Sequence, residues 1–300
     1  MQPDFYTAPP TYERYLKKLQ SLKKAYPFLQ LSSVGQSLCG RQLYAVSLGA
    51  PNPCTLFAGG FHALEWLTVQ LLFRFTEDLA EAWQQGKALA GVRIGADLNQ
   101  RGLTILPMVN PDGISIALEG AASAGRYADT AARIQAANPA LWQANSRGVD
   151  LNHNFDAGFA QLRAMEQEQG IDQPSPRQYG GLFAHSEPES RAIVSFLRSC
   201  RVETLYAFHS QGEEIFWEYG ERTPARSRYL AQMLSKASGY RLVENAGLFS
   251  HGGCKDYFIE RFQRPGFTIE IGKGTNPLPV EDLDGIYAKL QEMLVMAAVI

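Results

Sequence analysis

Long apolar runs are missing from this 300-residue chain, and so is any marked excess of charge of one sign. No segment stays apolar over the roughly 20 residues that a bilayer span needs. Met1 to Tyr15 holds no apolar stretch of the kind that directs export, so the expectation is a cytoplasmic protein with no membrane partner. A net charge of −2 leaves no electrostatic footprint for nucleic acid. Cysteine is sparse as well: Cys39, Cys54, Cys200 and Cys254 lie far apart, without a C-x-x-C. That excludes a disulfide scaffold and reads as structural thiols in a reducing compartment, with a thiol nucleophile at Cys254 as the lesser reading. Repeats and low-complexity tracts are absent too.

What is present is a globular composition, 45% hydrophobic and 11% aromatic, enough for one domain over residues 1–300 that acts on a compact polar substrate. Nothing in it sets an oligomeric state. Tyr12 to Tyr26 carries leucines and lysines at helical spacing and stops at Pro27. Leu29–Ser37, Gln42–Leu48 and Thr55–Ala58 read as strands, the first two joined at Cys39-Gly40. A helix is expected over Leu64–Trp83, then a strand Leu103–Val109 that runs into the turn signal Asn110-Pro-Asp-Gly113. Residues 120–146 read as an excursion with one or two short helices, and 158–181 as a long, partly helical, Pro-rich connection of a kind that is often functional. Ser186-Glu-Pro-Glu189 reads as the N-terminal cap of a helix over Ser190–Ser199. Strands then follow at Thr204–Phe208, Glu214–Tyr219 and Phe267–Ile271, and helices at Pro224–Ala237, Asp256–Gln263 and Val280–Val299. The alternation implies an α/β sheet covered on both faces.

The chemistry gathers at strand ends. The apolar run Thr55–Ala58 breaks at Gly59-Gly60, which free the backbone to turn, and His62 and Glu65 follow. By itself an H-x-x-E is more economically a surface histidine and a helix-start glutamate serving the helix dipole. His209 closes the strand Thr204–Phe208, and Glu270 sits near the end of Phe267–Ile271. Ligands of open α/β sheets collect at the carboxyl ends of strands, so the four can share one site. Two histidines and one glutamate are an attested catalytic zinc set. His62, Glu65 and His209 are then the ligands of one zinc ion, and Glu270 is the spare carboxylate that takes a proton from the attacking water. For His209 alone, a hydrogen-bonded histidine at a strand end stays open, and His185 and His251 read as loop or surface histidines.

Seven pieces, in this order, carry a resemblance: His62-Ala-Leu-Glu65, Val109-Asn-Pro-Asp-Gly113, Gly148-Val-Asp-Leu-Asn-His-Asn-Phe155, Ser186-Glu-Pro-Glu189, His209-Ser210, Gly252-Gly253 and Phe267-Thr-Ile-Glu270. The chain resembles the zinc carboxypeptidase family over nearly all of its length. The resemblance implies a three-layer α/β/α sandwich with a mixed, roughly eight-stranded sheet, one zinc ion, and hydrolysis of an amide near the carboxyl end of a peptide. It also implies a supporting role for Asp150, whose carboxylate would fix the tautomer of a ligating imidazole, here His62.

Departures from the family pattern bear on the substrate. Asn152-His153 stands where an Asn-Arg pair binds a terminal carboxylate, Leu64 replaces an arginine between the first two ligands, and Gln143 aligns with the arginine that polarises the scissile carbonyl. Arg147 or another loop arginine is the alternative donor for that task. The substrate-closing tyrosine aligns near Leu248 or Phe249. An imidazole does not replace an arginine fork, which argues against ordinary trimming of C-terminal residues. His209-Ser-Gln-Gly-Glu-Glu-Ile-Phe-Trp217 and Gly252-Gly-Cys-Lys-Asp-Tyr257 are similar to a narrower subgroup, the gamma-D-glutamyl-L-diamino acid endopeptidases of cell-wall peptides. That likeness implies a small muropeptide as substrate, with Lys255 facing one of its carboxylates and Gln211 supplying amide hydrogen bonds. The alternatives are an ordinary metallocarboxypeptidase, an N-acyl amino acid deacylase, and an inactive zinc-dependent protein that binds wall peptides.

Overall fold

A computed structural model describes residues 4–139, 141–243 and 251–300. Its centre is one mixed sheet of eight strands among the described residues: β1 (Gln30–Gln36), β2 (Gln42–Leu48), β3 (Cys54–Ala58), β4 (Gly102–Leu106), β5 (Val202–Ser210), β6 (Glu214–Phe216), β7 (Arg241–Val243) and β8 (Gly266–Ile271). Their spatial order is β1-β2-β4-β3-β5-β8-β6-β7. β3, β4, β5 and β8 run parallel at the centre, and antiparallel partners flank them.

The central strands are apolar on both sides because both sides are covered. Along β3, Phe57 packs into one core and Leu56 and Ala58 into the other; along β5, Tyr206 and Phe208 alternate with Leu205 and Ala207 in the same way. Helices Leu67–Gln85 and Leu283–Val299 supply the first core, and Pro188–Ser199 and Cys254–Phe262 the second. The result is the expected three-layer α/β/α arrangement.

Several local expectations change. Asn110-Pro-Asp-Gly113 opens a helix, Pro111–Glu119: Pro111 takes a first-turn position, and the Asn110 side chain accepts from the Gly113 N–H at 2.9 Å. The turn residues were thus acting as a cap. β4 stops at Leu106, before Pro107, which has no N–H to give to a ladder. Glu65 lies in a single 3-10 turn, Ala63–Glu65, ahead of the long helix. The helix at Pro188 has no side-chain cap of its own; Asn154 Oδ1 accepts instead from the Glu187 N–H and the Ser190 hydroxyl. β7 has only three residues, too few for a periodic signal. The Sγ atoms of Cys54 and Cys200, 146 residues apart in sequence, lie 3.3 Å apart as free thiols.

Among the described residues, no helix is long and apolar enough to cross a membrane.

Glu189, in the first turn of helix Pro188–Ser199, is buried. One carboxylate oxygen accepts from the Leu38 N–H at 3.1 Å, and the other has no partner. Burial, then the charge of Asp112, push its carboxyl up from 4.5 to about 8. A group with a raised folded pKa contributes stability that is complete below its unfolded value and is lost as pH rises through the folded one. Melting temperature is therefore expected to fall between about pH 4.5 and 8. Glu189→Gln should flatten that slope and stabilise the fold at pH 9 by about 1–3 kcal/mol; an unchanged slope in thermal melts would count against this account.

Candidate metal centre

The site is built where β3 and β5 end. After β3 the chain turns at Gly60, whose φ is 62° and whose absent side chain makes room for Val69 and Met108. The Gly60 N–H donates to Thr68 Oγ1 at 2.9 Å, and that hydroxyl donates to the Glu65 carbonyl at 2.7 Å. The loop carrying His62 and Glu65 is thus tied to the first turn of the following helix. His209, at the end of β5, is stacked on Phe61 with ring centroids 5.1 Å apart. Parallel register sets His209 directly beside Glu270 of β8, and antiparallel register sets Glu270 beside Glu214 of β6. Four residues from distant parts of the chain therefore share one sheet end.

His62 Nδ1 lies 2.8 Å from Glu65 Oε1, His209 Nδ1 lies 2.9 Å from Glu65 Oε2, and the two Nδ1 atoms are 3.3 Å apart. One donor atom from each of the three residues falls within 4.8 Å of the others. Asp150 Oδ1 sits 3.0 Å from His62 Nε2, so a neutral His62 carries its hydrogen there and turns a lone pair toward Glu65. Asp150 is itself fixed by the Asn152 and Gln178 N–H groups at 3.0 and 3.3 Å. His209 Nε2 is buried without a partner.

Two imidazole lone pairs and a carboxylate aimed at one point repel unless a cation lies among them, and this nitrogen and oxygen set suits zinc. The titration directions express the same need. Burial opposes a charge on His62, but Glu65 and Asp150 overcome it and raise its pKa well above the ordinary value. Burial opposes the charge on Glu65 also, yet His62 and His209 pull its carboxyl down to about 2. Burial lowers His209. Glu270 is pushed well above the carboxylate range by burial and then by the charge of Glu65.

A cavity of about 480 Å³ opens over these groups. Besides His62, Glu65, Asp150 and Glu270, it is lined by Gln143, Asn152, His153, Gln211 and Lys255, so nine of the ten expected site residues reach it; His209 lies just behind, 1% exposed. Their states differ. The Gln143 carbonyl accepts from the Ala63 N–H at 3.0 Å, which ties it to the metal-binding loop. Asn152 Oδ1 accepts from the Cys254 N–H at 3.0 Å. His153 is buried, with Nδ1 2.9 Å from the Gln178 carbonyl and 3.6 Å from Glu166. Lys255 is not a solvated helix-start lysine: its buried ammonium lies 2.5 Å from Asp256 and donates to the Glu218 carbonyl at 2.7 Å. Gln211 is exposed at the rim. Arg147 is engaged through Nε and Nη2 with Glu187 and the Ser186 carbonyl and does not line the cavity. The expected position of a closing tyrosine, Leu248 or Phe249, lies outside the described residues.

Sequence reasoning passed over Arg177 and Glu214, which also line the cavity. The signal for Arg177 was its place after Pro174-Ser-Pro176 in the long connection already suspected of function.

Sheet and site together define a metal-dependent hydrolase. The chain belongs to the zinc carboxypeptidase family, whose profile matches residues 15–292. Among curated relatives, gamma-D-glutamyl-L-diamino acid endopeptidase 1 of Lysinibacillus sphaericus is 34% identical over 278 residues, covering 92% of this chain and 69% of that protein. Among solved structures, bovine thrombin-activatable fibrinolysis inhibitor aligns over 98% of both chains, at 17% identity and a TM-score of 0.75. The murein-tripeptide amidase MpaA of Escherichia coli O157 aligns over 89% of this chain and 91% of its own, at 19% identity and a TM-score of 0.55. Family membership brings zinc as the cofactor.

If Asp150 orients His62, Asp150→Asn should weaken zinc binding by about 10–100-fold. Competition with a chromophoric chelator reads this directly, and an affinity equal to that of the unaltered protein would remove Asp150 from the assignment.

Proposed function

We propose that the protein hydrolyses an amide in small peptides derived from the cell wall, at the bond between the side-chain carboxyl of D-glutamate and an L-diamino acid. The observation that carries the hydrolytic part is the convergence of His62, Glu65 and His209 with Glu270 beside them in register. The 34% identical relative, by its name, supports the gamma-D-glutamyl part.

His62, Glu65 and His209 hold the zinc ion, with Asp150 keeping the hydrogen of His62 on Nε2 and Nδ1 free to ligate. Bound zinc supplies Lewis acidity that polarises the scissile carbonyl and makes water acidic enough to lose a proton near neutral pH. Glu270 takes that proton and returns it to the leaving amine nitrogen. In the metal-free protein, burial, then the charge of Glu65, hold its carboxyl well above the ordinary carboxylate range. Gln143 lies on the rim of the same cavity, and its amide is a donor available to a developing oxyanion.

Ordinary carboxypeptidase action fits the cavity less well. His153, where the family has an arginine, is buried against a backbone carbonyl, and Lys255 is already matched by Asp256. Neither offers, at the place where the family grips a terminal carboxylate, the planar fork that does so; the cavity's guanidinium, Arg177, stands exposed instead. We assign the activity to the cytoplasm, supported by four cysteines that lie far apart in sequence and lack any C-x-x-C.

The test is hydrolysis of defined muropeptides and hippuryl peptides with and without a chelator. Cleavage of the gamma-D-glutamyl bond, abolished by the chelator and restored by zinc, is the expected result. Glu270→Gln should lower kcat by about 10²–10⁴-fold with zinc content unchanged. Full activity in that variant would dismiss Glu270 as the base, and faster cleavage of hippuryl peptides would dismiss the substrate class.

A further inference from the structure

Four cationic or potentially cationic side chains line the cavity: His62, His153, Arg177 and Lys255. Three are committed. His62 faces Glu65 and Asp150, His153 rests on the Gln178 carbonyl near Glu166, and Lys255 is paired with Asp256 at the buried end. Arg177 alone has no carboxylate partner among the described residues. Its one side-chain hydrogen bond runs from Nε to Gln143 Oε1, at 3.1 Å.

The backbone on either side of Arg177 is held firmly. The Pro176 carbonyl accepts from the Gln143 and Ala144 N–H groups, both at 2.9 Å. On the other side the Gln178 N–H donates to Asp150 Oδ2 at 3.3 Å, and the Tyr179 carbonyl accepts from the Asp150 N–H at 2.7 Å. The neighbours of Arg177 are thus fastened to Gln143 and to the carboxylate that orients His62. With Nε anchored, the two terminal nitrogens are left as a fork, the donor arrangement that matches a carboxylate bidentately. The residue is exposed at the rim, whereas Lys255 lies buried at the floor.

We propose that Arg177 is the carboxylate receptor of this cavity, with Gln143 positioning its guanidinium, and that it selects a substrate bearing a free carboxylate on the acyl side of the scissile amide. The assignment rests on the gamma-D-glutamyl reading. In that linkage the side-chain carboxyl forms the bond, so the α-carboxylate of D-glutamate stays free close to the reacting carbonyl. The acyl side also carries the remainder of the peptide, and in this assignment it lies at the rim with the exposed Arg177. An ordinary α-linked residue has no carboxylate at that place, and a D-isoglutamine residue presents a neutral amide there.

The experiment compares kcat/KM on L-Ala-γ-D-Glu-diaminopimelate and on its D-isoglutamine counterpart for the unaltered zinc enzyme, Arg177→Ala, Arg177→Lys and Gln143→Ala. The unaltered enzyme should favour the acid by roughly 10–100-fold. Arg177→Ala should erase that preference by loss on the acid alone, Arg177→Lys should restore part of it, and Gln143→Ala should reduce the acid-to-amide ratio. Equal slowing on both peptides, or an unchanged ratio in Arg177→Ala, overturns the proposal. Should the unaltered enzyme cleave neither peptide, calorimetric binding of the dipeptide L-Ala-γ-D-Glu and its α-amide to the zinc-loaded protein separates the two claims. An acid preference erased in Arg177→Ala keeps the arginine while the gamma-D-glutamyl reading falls; equal binding of acid and amide removes both.

Discussion

Two imidazole nitrogens and a carboxylate crowded within 3.3 Å of one another are tolerable only with positive charge among them, and much of the central architecture serves to hold them there. The Gly59-Gly60 turn, the Thr68 bridge and the stack of Phe61 on His209 each restrict one ligand. Asp150 restricts another from behind. Such an arrangement costs stability in the empty site and returns it on metal binding, since a cation converts mutual repulsion into three attractive contacts.

The same electrostatics extend outward. Glu270 and Glu214 stand beside one another because β6 runs antiparallel to β8, and Glu214 adds to the burial and the Glu65 charge that raise the pKa of Glu270. Lys255 and Asp256 neutralise each other at the floor. What remains of the cavity's positive charge is at the rim, on a guanidinium held by a glutamine. An arginine carried on a Pro-rich loop has taken a position near Gln143 that the sequence left without a cation. Leu64, Gln143 and His153 are the positions that the resemblance sets at family arginines, and the one guanidinium lining this cavity among the described residues is that of Arg177.

Most of the chemistry was legible in the order of the residues, because ligands at strand ends announce themselves: an apolar run stops and an imidazole or carboxylate follows. His62, Glu65, His209 and Glu270 were each picked out this way, and the fold brings them to one sheet end; the alternation of strands and helices foretold a sheet covered on both faces. Short elements escaped, β7 because three residues carry no period, and the helix at Pro111 because a cap and a turn use the same residue types. What the chain by itself determined was the donor set and the layered fold, both properties of local patterning. Which cation is free was decided only by tertiary structure. Lys255 and Arg177 are equally charged in sequence; Asp256 adjoins Lys255 along the chain, but the burial that commits that pair to each other, and the anchoring of Arg177 on Gln143 34 residues away, exist only once the sheet and its loops have packed.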